Sequence, residues 1–166
     1  MKKILIVEGN LKEENENFKD AGILTHTESL KDSLSYFTNK LEADVVNPSS
    51  DKNISNIVKV LNKYDGLIWG GSSLNIYSNT PEILRQIDFM KECQKKIRKI
   101  LAICWGMQVA VTAARGLVKK CPNIINDTVY NCRQNFFRKK YKPHRGKRCD
   151  TEEFWKNKVV ATHVSY

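Results

Sequence analysis

The sequence predicts one α/β domain built on an open, mostly parallel sheet with helices on both faces. Two observations carry this prediction: short apolar runs recur along the chain, and segments with helical spacing of apolar residues stand between them. Such alternation is typical of parallel sheets, in which a helix connects each strand to the next. A chain of 166 residues, 41% of them hydrophobic, also has the length and the apolar content for one sizeable core.

The first half of the chain contains two predicted strands and two predicted helices. Residues 2–7 contain a continuous apolar run, as in a strand that is buried on both faces. Residues 9–26 are polar and aperiodic, and they predict a long loop with one helical turn at most. A helix capped by Thr27 follows, then a strand over residues 43–46 and a second helix. The helices are predicted from apolar residues on one face: Leu30, Leu34, Phe37 and Leu41 in the first, and Ile54, Ile57, Val58 and Leu61 in the second.

The second half begins with a predicted strand over residues 66–69. Residues 80–82, Thr-Pro-Glu, indicate a helix start with a capping hydroxyl, a proline at the first helical position and an acid in the first turn. A fourth apolar strand over residues 100–103 is followed, after one cysteine, by a helix over residues 105–114. The predicted buried stripe of the helix that starts near Pro81 consists of Ile83, Ile87 and Met90.

Cys104 stands at the junction of a buried strand and a helix, at the sheet edge where parallel α/β proteins bind ligands. Ala102 and Gly106 lie two positions on either side, and small neighbours let the chain turn sharply and project a nucleophile above the sheet. The N-terminus of the following helix favours the thiolate, and the Trp105 N–H would be free to face an oxyanion. A small buried cysteine is the alternative, but packing alone does not require glycine at that spacing.

Two segments of the chain resemble motifs of the class I glutamine amidotransferases. Ala-Ile-Cys104-Trp-Gly-Met-Gln108 resembles the nucleophile segment of that family, although Ala102 stands where the family prefers glycine. Residues 64–77, which include Trp-Gly-Gly71-Ser72-Ser, resemble its oxyanion loop, in the form found in stand-alone domains related to the amidotransferase half of GMP synthase. The resemblance covers roughly residues 1–118 and implies a flavodoxin-like sheet.

The resemblance also implies a role for five residues. Cys104 would attack the side-chain amide of glutamine to give a glutamyl thioester and ammonia, and water would then release glutamate. The N–H groups of Gly71 and Trp105 would hold the oxyanion, while Gln108 and Ser72 would contact the bound glutamine. The family chemistry needs no cofactor and no metal ion, and ammonia would pass to an acceptor site on a partner synthetase chain.

The family's acid/base pair, His-x-Glu, is expected downstream of the nucleophile, and it is not found there. His144 lies among cations, which disfavour its charged form, and His26 lies in a polar loop where solvation is expected. His163 ends the strand-like run Val159-Val-Ala-Thr and loosely resembles a histidine of the family that is not the general base. His163 is therefore a weak candidate for the base, for which geometry must decide.

Charge divides the chain into a core over residues 1–118 and a basic tail over residues 119–166. The core carries 16 Lys and Arg against 14 Asp and Glu, a net charge of +2, and the tail carries 12 against 4, a net charge of +8. We interpret the tail as a divergent segment or an incomplete C-terminal part of the same domain, from truncation or an altered reading frame. Nucleic-acid binding by its aromatic and basic residues is disfavoured, because no nucleic-acid module signature is present.

Composition excludes several other classes. No apolar run approaches the length of about 20 residues that spans a bilayer. Five cysteines without paired spacing disfavour both a disulfide framework and a zinc site, so a reducing cytoplasm is expected. The leading hypothesis is a glutamine amidotransferase-like domain. The alternatives are an inactive or incomplete relative without the His-Glu pair, and a cysteine hydrolase of the same fold with another amide substrate.

Overall fold

A computed structural model describes residues 1–118 and 159–162 of the chain, and within them five strands form one sheet. The strands are β1 (Lys2–Val7), β2 (Leu41–Val46), β3 (Gly66–Trp69), β4 (Ile100–Ile103) and β5 (Val159–Thr162). The helices are α1 (Lys12–Asp20), α2 (His26–Phe37), α3 (Ile54–Val60), α4 (Pro81–Lys96) and α5 (Trp105–Ala113). Two 3₁₀ turns cover Leu61–Lys63 and Ile76–Ser78.

The sheet has the strand order β2-β1-β3-β4-β5, and every neighbouring pair is parallel. This is the order of the flavodoxin-like doubly wound sheet. Because the order reverses direction at β1, right-handed crossovers put α2 on one face and α3 and α4 on the other. The predicted α/β fold class is confirmed.

The register aligns the carboxyl ends of the central strands. Val7 pairs with Trp69, and Trp69 pairs with Ala102, so the loops after β1, β3 and β4 leave the sheet at the same edge. The ends of β1 and β3 are almost completely buried, with Val7 at 1% and Trp69 at 0% exposure. Side chains of this buried layer hold the edge rigidly, because close-packed cores adjust little.

The helix α1 corrects the prediction of a loop over residues 9–26. It buries none of its residues, so it shows no apolar stripe from which a helix could be predicted. Glu13 and Glu14 lie in its first turn and Lys19 in its last, where they complement the helix dipole. The helix is thus supported by charge placement rather than by an apolar face.

The start and the end of α2 also differ from the prediction. Its N-cap is Thr25 rather than Thr27, and Thr25 and Glu28 form a reciprocal capping box. The helix ends at Phe37, whose side chain is 81% exposed and does not belong to a buried stripe. Leu41 lies in β2 instead of the helix, because the chain is already extended at Thr38.

The remaining predicted elements are confirmed with small shifts of their ends. Pro81 begins α4 as predicted, although the Thr80 side chain makes no capping hydrogen bond. The predicted stripe Ile83, Ile87 and Met90 is buried. Helix α3 ends at Val60 and continues as a 3₁₀ turn, and α5 ends one residue before the predicted end. No helix in the described part of the chain is long and apolar enough to cross a bilayer.

Candidate active site

Cys104 lies between β4 and α5 with the backbone angles φ 50° and ψ −101°. A residue other than glycine is strained in this region, and such strain is concentrated at functional sites. The side chain is partly exposed rather than buried in the core. This strand–turn–helix geometry is the one expected of a nucleophile elbow, and the role of Cys104 as a nucleophile stays a prediction.

Gly106 lets α5 begin in close contact with β3. A Cβ atom at this position would lie 2.5 Å from the Trp69 carbonyl oxygen and 2.8 Å from the Trp69 Cβ. No side chain fits there without a shift of the backbone. The absence of a side chain allows the Gly106 N–H to donate a hydrogen bond of 3.1 Å to the Gly70 carbonyl oxygen. The first turn of α5 is therefore attached to the loop that follows β3.

The loop after β1 completes the contact between these segments. A Cβ atom on Gly9 would lie 2.7 Å from the Trp105 Cδ1 and 3.1 Å from the Gly71 carbonyl oxygen. The same atom would lie 3.2 Å from the Ser72 Cβ. Gly9, Gly71, Ser72 and Trp105 thus come together at one place, although they follow three different strands. The structure brings three of the predicted site residues into one cluster.

Gln86 of α4 forms three buried hydrogen bonds, two of which join it to this cluster. The Trp105 Nε1 donates to the Gln86 Oε1 at 2.8 Å. The Gln86 Nε2 donates to the Gly9 carbonyl oxygen at 2.9 Å and to the Ser49 Oγ at 2.7 Å. Gln86 is completely buried, and its hydrogen bonds offset the cost of burying an amide. Periodicity could not reveal this residue, because a glutamine among apolar positions has no pattern of its own.

A second buried polar group lies at the carboxyl end of β1. The Glu8 carboxylate, 4% exposed, accepts hydrogen bonds from the Asn10 N–H at 2.9 Å and from the Thr27 hydroxyl. Asn47 donates to the Asn10 carbonyl oxygen at 2.9 Å. These bonds attach the loop after β1 to the first turn of α2 and to the end of β2. Thr27 is therefore a partner of Glu8 rather than a helix cap.

Ser72, a member of this cluster, and Gln108 of α5 are both half-buried. The Ser72 Oγ accepts a hydrogen bond from the Leu74 N–H at 3.2 Å, which forms a tight turn within the loop. Gln108 lies one turn into α5, where its N–H donates to the Cys104 carbonyl oxygen at 3.2 Å. Both positions are compatible with contact to a ligand at the edge of the sheet, and both roles stay predictions.

His26 is exposed, as the sequence predicts, but it does not lie in a loop. It is the first residue of α2, and its Nδ1 lies 3.0 Å from the Gly71 carbonyl oxygen. His26 and Glu28 also have the spacing of a His-x-Glu pair. They lie upstream of Cys104, whereas the family's pair is expected downstream. Glu28 is bound to the backbone and hydroxyl of Thr25 as part of the capping box, and its contacts in the structure do not include His26.

The other predicted histidines and the cysteines of the tail lie outside the described residues. These are His144, His163, Cys121, Cys132 and Cys149. The strand β5 pairs Thr162 with Ile103, and these residues directly precede His163 and Cys104 in the sequence. Within residues 1–118, no group of three His, Cys, Asp or Glu side chains is arranged to hold a metal ion.

Cys93 provides a contrast with Cys104 inside the described core. It is completely buried in α4, and burial raises the pKa of its thiol far above the ordinary range. A thiol of this kind stays protonated at neutral pH and is not a nucleophile. Of the two described cysteines, Cys104 is the one that is partly exposed to solvent.

Two known proteins that are similar to the chain have a γ-glutamyl group in their names. No family model matches the chain. A γ-glutamyl-L-1-hydroxyisopropylamide hydrolase from Pseudomonas is 29% identical over 116 residues, which are 70% of this chain and 39% of the relative. The γ-glutamyl peptidase 4 of Arabidopsis thaliana is 36% identical over 62 residues, 37% of this chain and 25% of the relative. The chain is similar to γ-glutamyl hydrolases.

The chain spans about two fifths and one quarter of the lengths of these two relatives. Among solved structures, the glutaminase domain of CTPS from Trypanosoma brucei with bound acivicin matches with a TM-score of 0.46 and 16% identity. That match covers 69% of this chain and 40% of the solved chain.

Proposed function

We propose that the chain hydrolyses γ-glutamyl amides through Cys104, with the side-chain amide of glutamine as the simplest substrate. The observation that carries this proposal is the strained turn at Cys104, with Gly106 and Gly70 joined by a hydrogen bond beside it. The names of both curated relatives contain a γ-glutamyl group, which favours this substrate class over other amides.

The reaction would proceed through a thioester. The Cys104 thiolate attacks the γ-carbonyl carbon, the C–N bond breaks, and the amine leaves with a proton from a general acid. Water then attacks the thioester carbon, and glutamate and the free thiol are formed. The Gly71 and Trp105 N–H groups would stabilise the oxyanion in both steps, where one such donor is worth about 10²–10³ in rate.

The general acid and base would be a histidine from the part of the chain outside the described residues. His163, which follows Thr162 in the sequence and lies outside the described residues, stays a weak candidate. His144 is disfavoured by the cations around it in the sequence.

A second candidate function is the delivery of ammonia to a partner synthetase. The resemblance of the Gly71 and Cys104 segments to amidotransferases of the GMP synthase type favours it. Glutamine would be the substrate in both proposals, and the partner chain belongs to this alternative alone.

The decisive experiment measures glutamate release from glutamine and from a panel of γ-glutamyl amides with different amines. We expect release by the wild type, loss of release in Cys104→Ala, and alkylation of Cys104 but not Cys93 by a glutamine-like diazo-ketone. A preference for bulky amines would favour the hydrolase, and a preference for glutamine would favour the amidotransferase.

Other outcomes test the details of this proposal. Alkylation of Cys104 without glutamate release would indicate an inactive relative, and His163→Asn with unchanged release would exclude His163 as the base. A chain in which Cys104 reacts with neither the substrate panel nor the diazo-ketone would overturn the proposal.

A further inference from the structure

The N-terminus of α2 is packed against the glycine loop that follows β3. Cβ atoms built on Gly70 and Gly71 would meet the His26 side chain at 3.8 Å and 3.4 Å. The His26 Nδ1 lies 3.0 Å from the Gly71 carbonyl oxygen, which accepts a hydrogen bond and donates none. This contact assigns the ring proton to Nδ1.

His26 is itself held in place by its neighbours. The capping box fixes the backbone at the start of α2, with 2.8 Å between the Thr25 N–H nitrogen and the Glu28 carboxylate. The next residue, Thr27, donates its hydroxyl to the buried Glu8. The ring of Phe18 lies against the imidazole, with 5.9 Å between the ring centroids. The first two contacts fix the backbone on either side of His26, and Phe18 of α1 packs beside its ring, which is exposed on its other side.

Two hydrogen bonds control the backbone around Gly71. The Gly106 N–H binds the Gly70 carbonyl oxygen, in the same peptide that supplies the Gly71 N–H. His26 binds the carbonyl oxygen of the next peptide. Glycine has the least restricted backbone, so two consecutive glycines need such bonds to keep one orientation. The bonds before and after Gly71 together fix the direction in which its N–H points.

We infer that His26 is a positioning residue that holds the Gly71 loop in the orientation needed to stabilise the oxyanion. The effect on oxyanion stabilisation rests on the proposed function. The effect on the conformation of the Gly71 loop rests on the hydrogen bond alone. His26 acts through the carbonyl of Gly71 and takes no part in proton transfer to the substrate.

The first test measures the loop without any reaction. Amide hydrogen exchange in the full chain is compared for the wild type, His26→Ala, His26→Asn and Ser29→Ala. Asparagine supplies an N–H donor near the Nδ1 position, and Ser29 is an exposed residue about one turn further along α2. We expect exchange in residues 70–76 to be about 10-fold faster in His26→Ala, and close to wild type in the other two variants.

The second test measures acylation of Cys104 by γ-glutamyl p-nitroanilide, as the first equivalent of p-nitroaniline released. We expect His26→Ala to lower the acylation rate constant about 10-fold, less than the loss of a whole donor, with a small change in KM and an unshifted pH profile. Alkylation of Cys104 by iodoacetamide should keep its wild-type rate, and His26→Asn should restore acylation.

The outcomes separate the two proposals. Unchanged exchange in His26→Ala would overturn the positioning role, and a shifted pH profile would make His26 a general base instead. Faster exchange in His26→Ala together with a wild type that is never acylated would leave the loop role in place and refute the proposed function.

Discussion

At the scale of single residues, the site depends on where a side chain is absent and where the backbone is strained. Gly106 has no room for a Cβ atom beside the Trp69 carbonyl, and Cys104 has a positive φ that glycine would adopt without strain. The sequence places glycine where contact forbids a side chain and cysteine where strain favours glycine. We therefore expect an added methyl group at position 106 to destabilise the fold, and glycine to be more stable than alanine at position 104.

Gly106→Ala should disrupt the elbow. The new methyl group would lie 2.5 Å from the Trp69 carbonyl oxygen, so α5 must shift, at a cost of about 1–3 kcal/mol in the free energy of unfolding. The rate of Cys104 alkylation by the diazo-ketone should fall sharply.

Gly22→Ala is the matched control, because Gly22 has a positive φ but no atom within 4 Å of the added Cβ. It should cost about 1 kcal/mol and leave the alkylation rate unchanged. Equal effects of both variants on alkylation would contradict this account.

Cys104→Gly should be more stable than Cys104→Ala. Relief of the strained φ outweighs the entropy that glycine loses on folding, by about 1 kcal/mol. Thermal unfolding of the two variants, both without the nucleophile, measures the difference directly. An alanine variant as stable as the glycine variant would show that the turn is not strained.

At the scale of elements, α4 acts as a polar support for the loops at the edge of the sheet. Gln86 joins the loops after β1 and β2 to the Trp105 indole, and Gln94 donates to the Ala110 carbonyl oxygen of α5 at 2.9 Å. The two buried glutamines lie about two turns apart on one helix, and Gln86 alone contacts the loops of the site. They make a natural pair of variants.

Gln86→Leu should destabilise the chain and impair the site together. It leaves the Trp105 indole N–H and the Gly9 carbonyl without their partner, at a cost of about 2–4 kcal/mol. Gln94→Leu, which removes one hydrogen bond away from the site, should cost about 1–2 kcal/mol. Urea unfolding gives the stabilities, and alkylation of Cys104 should slow in Gln86→Leu and not in Gln94→Leu. Equal alkylation rates would assign Gln86 a structural role alone.

At the scale of the whole molecule, one charged cluster joins three neighbouring parts of the sheet. The Tyr64 hydroxyl, just before β3, donates to the Asp44 carboxylate of β2 at 2.7 Å, and Lys3 of β1 lies 2.9 Å from the same group. The Tyr64 hydrogen bond and then the Lys3 ammonium lower the pKa of Asp44. Burial and the Asp44 carboxylate raise the pKa of Tyr64 to about 12.

This cluster predicts that the free energy of unfolding falls at acidic pH. The pKa of Asp44 is lower in the folded chain than in the unfolded chain. Its contribution to the free energy of unfolding is therefore present above the unfolded pKa of about 4, and it is lost as the pH falls through the pKa of the folded state. Asp44→Asn should cost about 1 kcal/mol at pH 7, and the difference from wild type should shrink by pH 3. Urea unfolding at both pH values measures it. Asp32→Asn is the control, since the exposed Asp32 forms no ion pair with any residue that the structure describes, and it should change stability little at either pH.

The order of the strands along the chain, the helices other than α1 and a sharp turn at Cys104 could be predicted from the sequence alone. These features are local: apolar periodicity marks buried elements, and small residues around one cysteine mark a sharp turn. The helix α1 could not be predicted in this way, because it has no apolar face. The sequence predicts the N-cap of α2 two residues too late, because threonine is a favoured N-cap and stands at both 25 and 27.

The residues that surround Cys104 are brought together by the packing of the sheet and cannot be predicted from local sequence. His26, Gln86 and Glu8 lie far from Cys104 in sequence and reach the site, or the loops beside it, through hydrogen bonds across the sheet edge. A parallel sheet brings the carboxyl ends of all its strands to one edge, so loops distant in sequence become neighbours there. Which polar groups then pair depends on distances of a few ångströms between packed elements, and no local pattern contains that information.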